Sequence, residues 1–220
     1  MTSTHTLSEA DSRAVVQAAG IPVSPYVTAS DRTGAVDAAG TLAPPLVAKL
    51  CGDRIAHKSE RGLVRLGLDD VGQLRAAVDE LLDAATPDDG AVQVLVSTMV
   101  AGRRELIAGL ATDPQFGMTV MVGIGGVLAE AIADVAFRLV PLTPIDAHEM
   151  VDQLATQRLL GEFRGEPAVD RQAVADVLVG LSDLASHDPD IVSVDLNPLV
   201  IVDGRPVAVD ALVERRGARR

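Results

Sequence analysis

Residues 45–62 read Pro45-Leu46-Val47-Ala48-Lys49-Leu50-Cys51-Gly52-Asp53-Arg54-Ile55-Ala56-His57-Lys58-Ser59-Glu60-Arg61-Gly62. An apolar run with one cation at its centre gives way to a polar turn with a second. Lys49 and Lys58 are the only lysines among the 19 Lys and Arg residues of the chain. Where arginine is the default surface cation, a lysine marks a place that the forked guanidinium does not suit. A compact ammonium with three rotatable donors fits a phosphate oxygen in a tight site. A strand lysine beside a turn of His57, Lys58, Ser59 and Gly62 therefore points to a nucleotide phosphate site. A coding bias that replaces lysine with arginine, leaving two neighbours by chance, explains the spacing equally well.

Working outward, 220 residues allow one large or two small domains. Apolar residues make up 48%, enough for a substantial core. With no Trp, one Tyr and three Phe, base stacking on single-stranded nucleic acid is not expected. A net charge of −12 argues against phosphate-backbone binding. The apolar run from Gly117 falls short of the roughly 20 residues a membrane span needs. The start of the chain lacks a basic-then-apolar signal pattern. Cys51 is the single cysteine, which excludes an internal disulfide and a thiol metal cluster. These readings give a soluble, cytoplasmic protein, with residues 215–220 expected as a frayed basic tail.

Helix signals cover residues 8–19, where Ser8 is a capping residue and Gly20 a stop. Extended residues at 26–28 and a short helix over 31–39 follow. Strands are expected at 45–51 and 62–68, and a helix over 69–85 started by Asp69 and Asp70. Pro87-Asp88-Asp89-Gly90 is a turn and a subdomain boundary. Beyond it, strands are expected at 92–99, 103–111 and 118–123, helices at 144–155 and 170–186, and a loop at 157–168. Strands at 191–196 and 206–213 flank the turn Asp203-Gly204. Interleaved helices and hairpins define an α+β fold with mixed sheets. The smaller N-terminal subdomain is placed at about 20–90 and the second at about 91–214.

Two further constellations carry chemistry. In Asp195-Leu196-Asn197-Pro198 the two oxygen side chains share one face of a strand, with Leu196 toward the core. With Asp210 on the adjacent strand they suit Mg²⁺, which takes oxygen ligands and keeps phosphate oxygens and waters. An ordinary strand-end turn fits the same four residues. Gly123-Ile124-Gly125-Gly126 resembles a phosphate-cradling loop but lacks the full signature of either phosphate-binding motif. Glu130, Asp134 and Arg138 follow it at the four-residue spacing of an exposed helix face.

Taken in order along the chain, these segments resemble the ATP-grasp domain of NDP-forming acyl-CoA synthetases, the β-subunit type of ADP-forming acetate–CoA ligase. The chain is distantly similar to the succinyl-CoA synthetase β subunit. The resemblance runs over about residues 7–214. It is carried by Leu7-Ser8-Glu9-Ala10, Gly20-Ile21-Pro22-Val23, Leu46-Val47-Ala48-Lys49, His57-Lys58-Ser59-Glu60, Glu105-Leu106-Ile107-Ala108-Gly109 and Asp113-Pro114-Gln115-Phe116-Gly117. Gly123-Ile124-Gly125-Gly126-Val127-Leu128, Asp134-Val135-Ala136-Phe137-Arg138 and Asp195-Leu196-Asn197-Pro198-Leu199 complete the set.

The resemblance implies two α+β subdomains gripping ATP between antiparallel sheets. It assigns ATP phosphates to Lys49, and the rest of the nucleotide to Ser97, Met99, Val100 and Glu105. Mg²⁺ falls to Asn197 and Asp210, with Asp195 beside them. His57 is implied as a phosphate-handling or phosphoryl-accepting residue and Lys58 as its neutralising neighbour. Gly125, Gly126 and Glu130 lie where a phosphohistidine segment would dock. That segment and the CoA-binding domain belong to a separate α chain, so a hetero-oligomer acting on a small carboxylate is expected. The chain departs from the family pattern in Arg61-Gly62-Leu63-Val64, where two adjacent glycines are usual. Leu63 is therefore expected to crowd the backbone approach to phosphate. It also departs in Ser97-Thr98-Met99 and in Gly102-Arg103-Arg104-Glu105. A stand-alone ligase that phosphorylates a carboxylate directly, or a non-catalytic nucleotide-binding subunit, would use the same residues.

Overall fold

The computed structural model describes residues 4–52, 54–55, 58, 61–126 and 132–217. His57 and Glu130 lie outside the described residues, as do Ser59 and Glu60. Two compact units divide the chain: Thr6–Asp11 with Ser24–Val100, and Ser12–Val23 with Ala101–Arg220 and Met1–His5.

The first unit is built on an antiparallel four-stranded sheet. Its order is β2 (Tyr26–Ala29), β5 (Val92–Thr98), β3 (Leu46–Gly52) and β4 (Val64–Leu68). Helices α2 (Arg32–Ala39) and α3 (Val71–Asp83) are started by aspartates. Asp31 accepts the Gly34 N–H and Asp70 the Gln73 N–H, each at 2.8 Å. Such a cap satisfies one of the orphan amides of the first turn. Leu74, Val78 and Leu81 of α3 recur at helical spacing and pack on Leu46, Ala48, Leu50, Val94 and Val96 of the sheet. With β3 alternating, Val47, Lys49 and Cys51 belong to the other face.

The second unit carries a larger sheet. Its order is β1 (Thr4–Thr6), β11 (Leu212–Arg216), β9 (Ile191–Val202), β6 (Glu105–Asp113), β7 (Gly117–Ile124) and β8 (Val135–Leu139), and β10 (Arg205–Ala208) also pairs with β9. Helices α4 (Pro144–Gln153), α5 (Gln157–Leu160) and α6 (Arg171–His187) belong to this unit. Thr143 and Asp146 close a capping box on α4, and Asp170 caps α6 through the Ala173 N–H at 3.0 Å. Val174, Val177, Leu178 and Leu181 of α6 are buried, as are Leu106, Ala108, Leu110, Val120 and Val122 of the sheet.

Helix α1 (Glu9–Ala18) begins in the first unit and ends in the second. Among the described residues no helix is long and apolar enough to cross a membrane.

Four readings of the sequence are corrected. The expected helix face does not extend to Arg138, which sits in strand β8, whose Val135, Phe137 and Leu139 alternate with the buried Ala136. β9 does not stop at residue 196; it runs to Val202 and turns at Asp203-Gly204 into β10, and β11 is a separate strand. The stretch 157–168 contains the one-turn helix α5. Arg215 and Arg216 belong to β11 rather than to a tail, with Arg215 paired to Asp188 at 2.7 Å.

Candidate functional site

The lysines meet at a glutamate. Ser8 starts α1: its Oγ accepts the Asp11 N–H at 3.2 Å and donates to Asp11 Oδ2 at 2.6 Å. Glu9, the next residue, turns into the protein with a side chain that is 0% exposed. Its Oε1 accepts from Lys49 Nζ at 2.7 Å and its Oε2 accepts from Lys58 Nζ. Lys49 and Lys58 are themselves only 9% and 14% exposed. The helix N-terminus adds partial positive charge beside the carboxylate. The sequence around Glu9 signals no role for it, because its partners lie 40 and 49 positions further along the chain.

Ser97 shares the face of Lys49. The β3–β5 register places Leu95 opposite Lys49 and Ser97 opposite Val47, and Ser97 is buried. Cys51, Leu95, Ala10 and Tyr26 pack together on this side. Met99 and Val100 follow the end of β5; the Met99 N–H donates to Pro45 O at 2.8 Å and its side chain is exposed.

Leu63 turns its side chain into the core. It is 2% exposed and belongs to the α2–α3 core. Its N–H donates to Lys58 O at 2.8 Å and its O accepts the Leu50 N–H at 3.1 Å, so it fastens the lysine turn to β3. Just before it, Arg61 makes a two-pronged pair with Asp89 at 2.7 and 3.0 Å. That guanidinium, helped by the Thr86 N–H, holds the Asp89 carboxyl well below the usual carboxylate range.

The acid set lies on the second unit's sheet. Asp195 and Asn197 are exposed while Leu196 between them is fully buried. Ala108 pairs with Leu196 and Leu106 with Leu199, so Asn197 and Pro198 together oppose the single residue Ile107. This is a bulge in β9, a device that re-aims side chains. Opposite Asp195 stands Gly109, where a Cβ would lie 2.5 Å from Val194 O; only glycine lets the two strands approach so closely. The row continues through Met121 to Phe137, so an acid and an apolar stripe share one face.

Asp210 lies in the connection from β10 to β11, not within a strand as expected. That connection is tied down at several points. The Val209 N–H donates to Pro198 O at 3.3 Å, Arg13 donates to Val209 O, and Ser12 Oγ accepts the Val213 N–H at 3.1 Å. Asp195 keeps an open side, yet the protein around its carboxyl withdraws enough water to raise its pKa, and the charge of Asp210 raises it further. Two carboxylates whose charges repel, with an amide oxygen alongside, form an all-oxygen donor set that fits a hard divalent cation. Among the described residues no three His, Cys, Asp or Glu side chains converge into a metal-holding group.

The glycine run serves packing where it is described. Gly123 lies within β7, and a Cβ there would come within 2.7 Å of Val135. Gly125 donates its N–H to Glu105 O at 2.7 Å, and a Cβ on Gly126 would stand 3.8 Å from the Glu105 carboxylate. The structure thus brings Glu105, Gly125 and Gly126 together. Asp134, by contrast, faces the start of α5. Burial works to raise its pKa, but the Thr156 hydroxyl and the Ala155 and Thr156 N–H groups outweigh it and leave the carboxyl lowered.

One unit is an antiparallel sheet with two helices and an enclosed lysine pair, and the other a larger antiparallel sheet bearing an acid–amide set, so both are α+β. The ATP-grasp domain family matches residues 2–214. Acetate–CoA ligase (ADP-forming) I subunit beta of Pyrococcus furiosus is 34% identical over 208 residues, 93% of this chain and 90% of that protein. Acetate–CoA ligase (ADP-forming) I of Archaeoglobus fulgidus is 38% identical over 199 residues, 89% of this chain but 29% of that longer protein. Among solved structures, the dinucleotide-forming acetyl-coenzyme A synthetase 1 of Ca. Korarchaeum cryptofilum, in complex with coenzyme A, Ca-AMPCP and HgCl⁺, superposes with a TM-score of 0.90 at 32% identity, covering 96% of this chain and 94% of that one. The chain belongs to the ATP-grasp family, as a β-subunit-like domain of the ADP-forming acyl-CoA synthetases.

Proposed function

We propose that this chain is the nucleotide-binding β subunit of a two-component ADP-forming carboxylate–CoA ligase. The observation that carries the proposal is the convergence of the only two lysines on one enclosed carboxylate. Lys49 and Lys58 bind phosphate oxygens of ATP or ADP through charge-assisted hydrogen bonds, which contribute about 1.5–3 kcal/mol each. Ser97, Met99, Val100 and Glu105 line the remainder of the nucleotide, with Met99 and Val100 contributing mainly backbone. Asp195, Asn197 and Asp210 hold Mg²⁺, which when bound neutralises phosphate charge. The two compact units are the two subdomains of the grasp.

Phosphoryl transfer asks a protein for positioning and charge neutralisation more than for covalent chemistry. In the proposed reaction carboxylate, CoA and ATP interconvert with acyl-CoA, phosphate and ADP. The γ-phosphorus–oxygen bond of ATP breaks, leaving ADP, and a phosphorus–nitrogen bond forms to a neutral histidine ring of a separate α chain. His57 orients the phosphoryl group or accepts it in passing. Gly125, Gly126 and Glu130 receive the α-chain segment. CoA and the carboxylate bind on the α chain, and the complex works in the cytoplasm. The similarity to a free-standing β subunit over 90% of that subunit's length supports the two-component reading. The core position of the Leu63 side chain supports an intact site over a degenerate one.

Thermal unfolding with and without Mg-ATP, on wild type and Lys49→Ala, tests the nucleotide site. Saturation at 100 times the dissociation constant adds about 2.7 kcal/mol to stability. The expected result is an upward shift in wild type that vanishes in the variant; no shift in wild type overturns the proposal. The pure chain is expected to form no acyl-CoA from ATP, CoA and acetate, and robust turnover by the chain alone overturns the two-component part.

A further inference from the structure

We infer that Glu9 is the positioning residue for the phosphate-binding lysines, presenting one carboxylate oxygen to each ammonium. The inference rests on the nucleotide reading of Lys49 and Lys58 above. A lysine side chain turns about four bonds, so strand and turn positions alone leave the two ammonium groups undirected. Glu9 directs both, with Oε1 at 2.7 Å from Lys49 Nζ and Oε2 in contact with Lys58 Nζ.

Stability alone does not explain the arrangement. Placing a carboxylate where its side chain is 0% exposed carries a desolvation cost, and well-packed apolar residues of similar volume commonly do as well or better. A charge held in such a place serves to fix its partners before the ligand arrives, which spares the ligand that ordering cost. The mounting is rigid. Ser8 caps the helix end, Ala10 packs with Leu95 and Cys51, and the Tyr26 hydroxyl donates to Ala10 O at 3.4 Å. Other titratable groups on the same elements include Asp11 on α1, Cys51 on β3 and Tyr26 on β2, which packs with Cys51.

Because the chain has only two lysines, lysine labelled with ¹³C at Cε gives two side-chain NMR signals, one for each ammonium of interest. The experiment compares the full chain as wild type, Glu9→Gln and Glu9→Asp, first alone and then titrated with Mg-ADP. Without nucleotide, both signals are expected to move in Glu9→Gln toward the shifts of free lysine. The Mg-ADP dissociation constant is expected to rise at least tenfold in Glu9→Gln and by a smaller factor in Glu9→Asp, which keeps the charge but shortens the reach. Folding of each variant is read from circular dichroism, and if Glu9→Gln fails to fold, Glu9→Asp carries the test. Unchanged lysine signals and unchanged affinity in a folded variant overturn the positioning role. Wild-type signals that ignore Mg-ADP while still responding to Glu9→Gln refute the nucleotide reading and, with it, the positioning role for phosphate, leaving the charge cluster as structural.

Discussion

The two charged faces solve opposite problems. In the first unit two cations are enclosed, and the protein supplies their counter-charge itself through Glu9. In the second, Asp195 and Asn197 stand open to solvent, and the charge that bears on Asp195 is that of another carboxylate, Asp210. An enclosed charge needs its partner at the moment of folding, since removing one side of a buried pair leaves an uncompensated charge. An open charge can wait for water or a metal ion. The lysine face is therefore set by folding, whereas the acid face carries a standing repulsion between Asp195 and Asp210, which the proposed Mg²⁺ would relieve.

The largest effect expected from this contrast is at Glu9. Glu9→Ala should destabilise the protein by about 3–5 kcal/mol, the usual cost of breaking a buried pair from one side. Denaturant unfolding measures it, and a loss below about 1 kcal/mol would break the comparison.

Leu63→Ala comes next, at about 2–5 kcal/mol for a core leucine, with Mg-ADP affinity of the folded fraction unchanged. A gain in affinity would show that Leu63 obstructs phosphate after all.

Asp134→Ala removes a carboxylate that takes three hydrogen bonds from residues 155–156, at a cost of about 1–2 kcal/mol. Its folded pKa is lowered, so its stabilisation is present above the ordinary carboxylate pKa and is lost as pH falls through the lowered value. The stability difference between wild type and variant should therefore shrink in acid.

The smallest effect has the opposite sign. Asp195 has a raised folded pKa, so its favourable contribution holds below the ordinary carboxylate pKa and is lost as pH rises through the raised value. Asp195→Asn should make the metal-free protein slightly more stable at pH 7, by well under about 1 kcal/mol given its solvent-screened side. The gain should disappear near pH 4, and added Mg²⁺ should stabilise wild type more than the variant. Equal stability at both pH values would show that the acid face is relaxed without a cation.

The lysine pair was legible in the sequence because composition isolates it: an arginine-rich chain makes Lys49 and Lys58 conspicuous. Their partner was not, because nothing local to Glu9 reports a contact 40 residues away. Capped helices such as α3 and α6 were legible from Asp70, Asp170 and the leucine and valine spacing. Strand β8 was not, since charges at four-residue intervals mimic a helix face and its apolar residues Val135, Phe137 and Leu139 point outward. Pro198 likewise hid the full length of β9; the bulge there absorbs a residue that would otherwise end a strand. Asp195 and Asn197 could be paired by strand period alone, but the repulsion from Asp210 needed the fold of residues 199–212. His57 and Glu130 lie outside the described residues.

One turn of helix α1 carries an uneven share of this arrangement. Glu9 serves the lysine unit, while Ser12 and Arg13, one turn on, hold the 209–213 connection of the other unit. For anyone expressing this protein, the choice of start site is therefore not neutral. A clone begun a few codons past residue 13 would keep every strand of both sheets except β1, yet lose the counter-ion of one unit and the tether of the other in a single cut.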